Sequence, residues 1–179
     1  MRRRLAFLQR LGGDARGVAA LEFALVVPVM IVVYLVGFEV AEAATVYRKL
    51  NDTTVQLANV SAQYTSMGAT DTTQVLNASS QIMAPYPTAR LTIVLSEVTT
   101  NAKGKGVVTW SQAYQGAALD PKTKMTMPSG FQTANTSYML VQTTYSYQPT
   151  IGAAFIGPIT LRDQIFMLPR ASASIPYTG

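Results

Sequence analysis

The sequence predicts an α+β chain in which one long N-terminal helix, half of it apolar enough for a membrane and half amphipathic, packs on a small antiparallel β-sheet. Three observations carry this expectation. Residues 18–37 read VAALEFALVVPVMIVVYLVG, an apolar run interrupted by a single carboxylate, Glu22. No glycine or proline falls between Phe38 and Met67, and the apolar positions there recur at spacings of four and three, so the helix runs on. Beyond Pro87 the period shortens to two, the signature of strands with one buried face. The organisation expected is a basic leader over 1–17, a membrane span over 18–37, an amphipathic helical extension over 38–67 and an α+β domain over 68–179.

Charge is concentrated at the start. Of the net +5, +4 lies in residues 1–17, where Arg2, Arg3, Arg4, Arg10 and Arg16 face Asp14 alone. Basic residues ahead of a first span hold that end in the cytoplasm, which places the C-terminal domain across the membrane. Everything after Gly17 sums to +1, so the basicity belongs to the leader and does not call for nucleic acid. With 49% hydrophobic and 13% charged residues, 179 positions suffice for one span and one modest domain. Cysteine is absent, which removes disulfide and thiol chemistry.

At about 1.5 Å per helical residue, the run from Val18 to Gly37 matches the roughly 30 Å hydrocarbon core of a bilayer. A carboxylate costs about 2.5–3.5 kcal/mol at the centre of such a helix and less near its end, so Glu22 marks function and calls for a partner. Three readings of this end compete. A secretory signal peptide would use Ala41-Glu42-Ala43 as its cleavage site, but its apolar stretch is too long and the carboxylate has no purpose there. A plain signal anchor would carry an unrelated periplasmic domain, with Glu22 an accident of the membrane interface. Cleavage between Gly17 and Val18 would instead leave a new α-amino group on Val18, four residues from Glu22. That ammonium can neutralise the carboxylate within one helix, or on a neighbouring subunit of a bundle, where a buried ion pair sets register.

The stretch from Asp14 to Pro28, DARGVAALEFALVVP, resembles the processing site and first helix of TadE-like proteins, minor pilins or pseudopilins of the tight-adherence (Tad/Flp, type IVc) pilus. Glycine followed by four residues and a glutamate is the general prepilin pattern, and the flanking Arg16-Gly17, the Glu22-Phe-Ala-Leu25 and the proline six residues after Glu22 narrow it to this branch. The Pro169-Arg170 pair near the C-terminus is similar to the ending of the family. The resemblance implies a pilin-like fold, Gly17 as the last leader residue, Val18 as the mature N-terminus and Glu22 as the recognition and assembly residue. It also implies partners: a prepilin peptidase, a major Flp-type pilin with other minor pilins, the inner-membrane assembly platform and membrane lipid. Pro28 removes a helical hydrogen bond; it is either tolerated or a kink that lets the first turns shift as a subunit leaves the bilayer.

The extension from Phe38 carries Val46, Leu50, Thr53, Leu57, Val60, Tyr64 and Met67 on one stripe, and Glu42, Arg48, Lys49, Asp52, Gln56 and Asn59 elsewhere. The stripe suits packing on the chain's own sheet better than a coiled coil. Gly68 is placed to follow the helix end. Asp71-Thr72-Thr73-Gln74 reads as an N-cap and first turn of a second helix, which Pro85-Tyr86-Pro87 ends. Leu91, Ile93 and Leu95 open a hairpin that turns at 101–106 and returns over Val107–Ala113 with Trp110 inside it. Tyr138–Tyr147 and Leu161–Leu168 supply third and fourth strands. The connection 114–136 is expected to be a solvated loop or a contact surface, and Ile151–Pro158 a buried link or a sticky patch.

Catalytic chemistry finds no support. Histidine is absent along with cysteine, which excludes the common acid–base, thiol and zinc sites. Asp52, Asp71, Glu97, Asp120 and Asp163 are scattered singly, so no carboxylate pair or metal or cofactor site is expected. Lys103-Gly-Lys-Gly106 lacks the rest of a phosphate loop. The expectation is a structural subunit taking part in pilus assembly and surface adhesion. Its rivals are a signal-anchored periplasmic binding domain, with loop 114–136 as the ligand contact, and a type II secretion pseudopilin.

Overall fold

A computed structural model describes residues 15–151 and 157–179 of the protein. The arginine-rich leader as far as Asp14, and the centre of the segment 151–158 discussed above, lie outside the described residues. The chain divides into two compact units, Met1–Glu42 and Ala43–Gly179, and helix α1 (Ala15–Ser61) runs from the first into the second.

In the first unit α1 is apolar on every side and covered on almost none. Phe23 is 70% and Tyr34 73% exposed, and Val18, Leu21, Leu25, Val29, Ile31, Val33 and Val36 stand open as well. A helix with no polar face has no side to turn to water, and this one is long and apolar enough to cross a membrane. Pro28 sits inside it without ending it, forgoing the bond its missing N–H would make to the Ala24 carbonyl.

The second unit has the expected α+β architecture. After α1 come α2 (Ala69–Ser80), two 3₁₀ turns (Gln81–Met83 and Thr88–Arg90) and strands β1 (Leu91–Thr100), β2 (Gly106–Tyr114), β3 (Lys124–Met125), β4 (Ser137–Tyr147) and β5 (Ile159–Met167). The sheet order is β3-β2-β1-β4-β5 and every neighbouring pair is antiparallel. One face packs on α1: Val46, Leu50, Leu57 and Ala58 meet Leu91, Ile93, Leu95, Trp110, Met139, Val141 and Tyr145 in a single core.

The amphipathic stripe of α1 holds as far as Leu57 and then changes. Val60, expected inside, is 41% exposed, while Thr53, Thr54, Ala58, Ser61 and Ala62 are buried. Small side chains dominate this face, so the sheet comes close and the hydroxyls have to be satisfied locally. Thr53, Thr54 and Ser61 each donate back to the carbonyl four residues earlier. Because the Thr54 hydroxyl is spent on Leu50, the 2.6 Å contact with Thr143 on β4 makes Thr143 the donor.

The helix ends at Ser61, short of the expected Met67. Tyr64 N–H bonds the Ser61 carbonyl in a tightened turn, and the Ala62 carbonyl is taken by Arg170 N–H at 2.8 Å from the far end of the chain. Gly68 is correspondingly the N-cap of α2, where its N–H donates to the Asp71 carboxylate at 2.9 Å, so Asp71 caps from the third helical position rather than from the cap itself. Loop 114–136 is another departure. It carries the two-residue β3, and it brings Met127, Leu119, Met125 and Phe131 over the back of the sheet onto Val98, Val108, Tyr138, Leu140 and Phe166. A bulge between Glu97 and Val98 accommodates the extra residue of β2 there.

The threonine pair gives a test of the helix–sheet contact. Thr54→Val leaves the buried Thr143 hydroxyl without its acceptor and costs about 1–3 kcal/mol. Thr54→Val/Thr143→Val, with both polar groups gone, costs less than the two single changes combined. Chemical unfolding of the full chain in micelles, followed by fluorescence of the single tryptophan, measures all three; full additivity of the single changes contradicts the contact.

Candidate functional site

The four residues singled out near the start of the chain all fall on α1. The helix begins at Ala15, so Gly17 and Val18 lie in its first turn, where backbone N–H groups have no helical carbonyl to bond and the last few bonds are easily opened. Both are exposed. A side chain added at Gly17 would meet nothing within 4 Å. Glycine inside a helix costs roughly 1 kcal/mol relative to alanine, and here neither packing nor backbone conformation requires it.

Glu22 follows Val18 by one helical turn, so the two share a face. It is exposed, its other neighbours one turn away are Ala19, Leu25 and Val26, and among the described residues it has no ion-pair partner. The helix therefore presents a carboxylate in an apolar field, with the backbone of residue 18 on the same side. Pro28 stands further along the same exposed stretch.

Residues 17–59 match the family model of TadE-like proteins. Over that stretch the chain is similar to TadE-like proteins. The match opens on Gly17 and closes at Asn59, so it takes in nearly all of α1, both the apolar half and most of the half that packs on the sheet. No curated protein and no solved structure matches the chain. The sheet and its loops, residues 91–167, lie outside the family match.

One charged residue of consequence was not foreseen. Glu97, dismissed above as a solitary carboxylate, is 2% exposed on β1. It accepts a hydrogen bond from Ile175 N–H at 2.8 Å, while Trp110, its partner across the hairpin, donates Nε1–H to the Ile175 carbonyl at 2.7 Å. Both main-chain groups of Ile175 are thus claimed by side chains of the sheet. Just beyond it the tail is fastened to the segment after α1, where Met67 N–H bonds the Pro176 carbonyl and Thr178 N–H bonds the Met67 carbonyl, and the Tyr177 ring lies against Trp110 of β2 with ring centres 5.5 Å apart. Alternation along β1 put Glu97 on the core face, and this was the one signal in the sequence that it would be buried.

Burial pushes the Glu97 carboxyl above its ordinary pKa, against the opposing pull of the hydrogen bond from Ile175 N–H and the nearby polar groups of Ser137 and Trp110. The folded protein therefore binds this proton more tightly than the unfolded chain does. Stability contributed by Glu97 is greatest below the ordinary glutamate pKa and falls as pH rises through the elevated one. Glu97→Gln keeps an oxygen for Ile175 N–H and removes the titration. The difference in unfolding midpoint, variant minus parent, should grow in the variant's favour as pH is raised from about 4.5 to neutrality. A difference independent of pH over that range would mean that the folded carboxyl titrates normally.

Proposed function

We propose that the protein is a minor pilin or pseudopilin of the Tad/Flp pilus, a structural subunit rather than an enzyme. It enters the inner membrane with its N-terminus in the cytoplasm and its sheet-bearing unit in the periplasm. A prepilin peptidase cuts between Gly17 and Val18. The mature subunit then packs through α1 with a major Flp-type pilin and other minor pilins on the inner-membrane platform, and so supports fibre assembly and surface adhesion.

The observation that carries this reading is the glycine at the head of the TadE-like helix. Among the described residues nothing packs where a side chain on Gly17 would stand, so the glycine's value lies in what reads it from outside. The bond after it lies in the first turn, where a protease needs to open little structure. The alternative cut after Ala43 falls deep inside α1, three residues before the fully buried Val46, where opening an extended stretch disrupts the core. Cleavage at Gly17 also supplies what Glu22 lacks, an ammonium one turn away on the same face or on a neighbouring helix.

Mass spectrometry of the protein from its native membrane tests the reading. A chain beginning at Val18 agrees with it, one beginning at Ala44 makes the protein an exported soluble domain, and one beginning at Met1 makes it a static anchor. Gly17→Leu should retain the folded sheet unit while abolishing processing, a loss of at least tenfold in the ratio of mature to precursor bands. Glu22→Gln should insert as well as the parent yet fail to co-assemble, because the new ammonium loses its counter-charge; normal incorporation into fibres would remove the ion-pair account. Co-purification with a secretion platform in place of a pilus would favour the type II pseudopilin reading.

A further inference from the structure

Four of the chain's five lysines, Lys103, Lys105, Lys122 and Lys124, come together at one end of the second unit. The first two sit in the β1–β2 turn, and the others precede and open β3, which pairs with β2 through Val107 and Lys124. Lys103, Lys105 and Lys124, with Asn101, Thr126 and Gln132, line a cleft of about 510 Å³. All four lysines are exposed, and none makes an ion pair among the described residues. Asp120 is the one carboxylate between Asn101 and Gln132.

The backbone under these charges is held in place. Asn101 Oδ1 accepts hydrogen bonds from Lys103 N–H at 2.9 Å and Lys105 N–H at 3.1 Å. Gly104 has φ +70°, and its close approach to the Gln132 carbonyl leaves no room for a side chain, which seats the turn against the loop opposite. Lys122 N–H bonds the Val108 carbonyl at 2.8 Å. Like charges gathered on a fixed frame repel one another, and an anion relieves that repulsion.

The fold also decides which end of the unit this is. Asn51 bonds Asp163 and Asn59 bonds Arg170, so β5 runs with α1. β4 is antiparallel to β5 and β1 to β4, so β1 runs with α1 too, and the lysine turn lies where α1 finishes. No aromatic side chain lines the cleft for bases to stack on, which disfavours single-stranded nucleic acid. What the cleft offers is lysine for carboxylate, with amides and a hydroxyl for sugar hydroxyls.

We propose that this cleft binds an acidic polysaccharide, a polymer of uronic-acid type, and so makes the exported unit a receptor for anionic glycan. The site stands whether or not Gly17 is processed. The test uses the full-length protein in neutral detergent with polygalacturonate as the probe and dextran as the uncharged control. Polygalacturonate should bind, weaken steeply with added salt and lose at least tenfold in affinity when Lys103, Lys105, Lys122 and Lys124 are all changed to Gln. Asn101→Ala, which frees the turn without altering charge, should weaken binding several-fold. Arg2→Gln/Arg3→Gln/Arg4→Gln and Arg48→Gln/Lys49→Gln, which remove charge elsewhere, should leave binding unchanged. An equal loss in those control variants would show attraction to net charge alone and overturn the site. Equal or tighter binding of polyglutamate, of an oligothymidine or of phosphatidylglycerol vesicles would overturn the glycan assignment, as would undiminished binding by the four-lysine variant.

Discussion

One helix has to satisfy two different surroundings, and the rest of the molecule is arranged around that constraint. From Val18 to Val40 α1 offers apolar side chains in all directions; from Val46 to Ala62 it turns one narrow face of valine, leucine, threonine, alanine and serine to a sheet. The second half can be amphipathic only because the sheet is there to cover it. Among the described residues the first half has almost no cover. Burial of the face that begins at Val46 is therefore what fixes the second half of the rod to the sheet, and the small residues on it set how near the strands approach. Thr54 and Thr143 show the consequence, with two hydroxyls meeting in the middle of the core because neither side has bulk to keep them apart.

Much of this was legible in the sequence because it rests on periodicity. The unbroken run from Phe38, the stripe through Leu50 and Leu57, and the two-residue alternation in β1, β2, β4 and β5 are local patterns with a direct geometric meaning. The failures came where distant segments decide. Val60 fits the apolar spacing, yet the sheet meets the face bearing Ala58 and Ser61. The stop at Ser61 depends on Arg170, more than a hundred residues away, and no local signal announces it. β3 is two residues long and exists only as an addition to β2, so no period could reveal it. Loop 114–136 looked solvated because its apolar residues are sparse; Met127 and Phe131 suffice to cover the back of the sheet.

The candidate site divides in the same way. Gly17, Val18 and Glu22 stand out in the sequence because charge against a hydrophobic background is conspicuous, and α1 carries all three on one exposed stretch. Glu97 was not readable, because a carboxylate in an alternating strand looks like any other polar position until the tail arrives to cover it. The lysines were visible singly, but only the pairing of β2 with β3 brings Lys124 to the cleft that Lys103 and Lys105 line.

The fastening of the tail bears on the order in which the unit acquires its shape. Ile175, Pro176 and Thr178 hold Glu97, Trp110 and Met67 in place, so the hairpin and the segment after α1 stay unfinished until residues 175–178 are docked. Contacts of such long sequence separation form slowly. The helix-and-sheet unit would thus remain loose while its earlier segments gather and lock only once residues 175–178 reach the sheet.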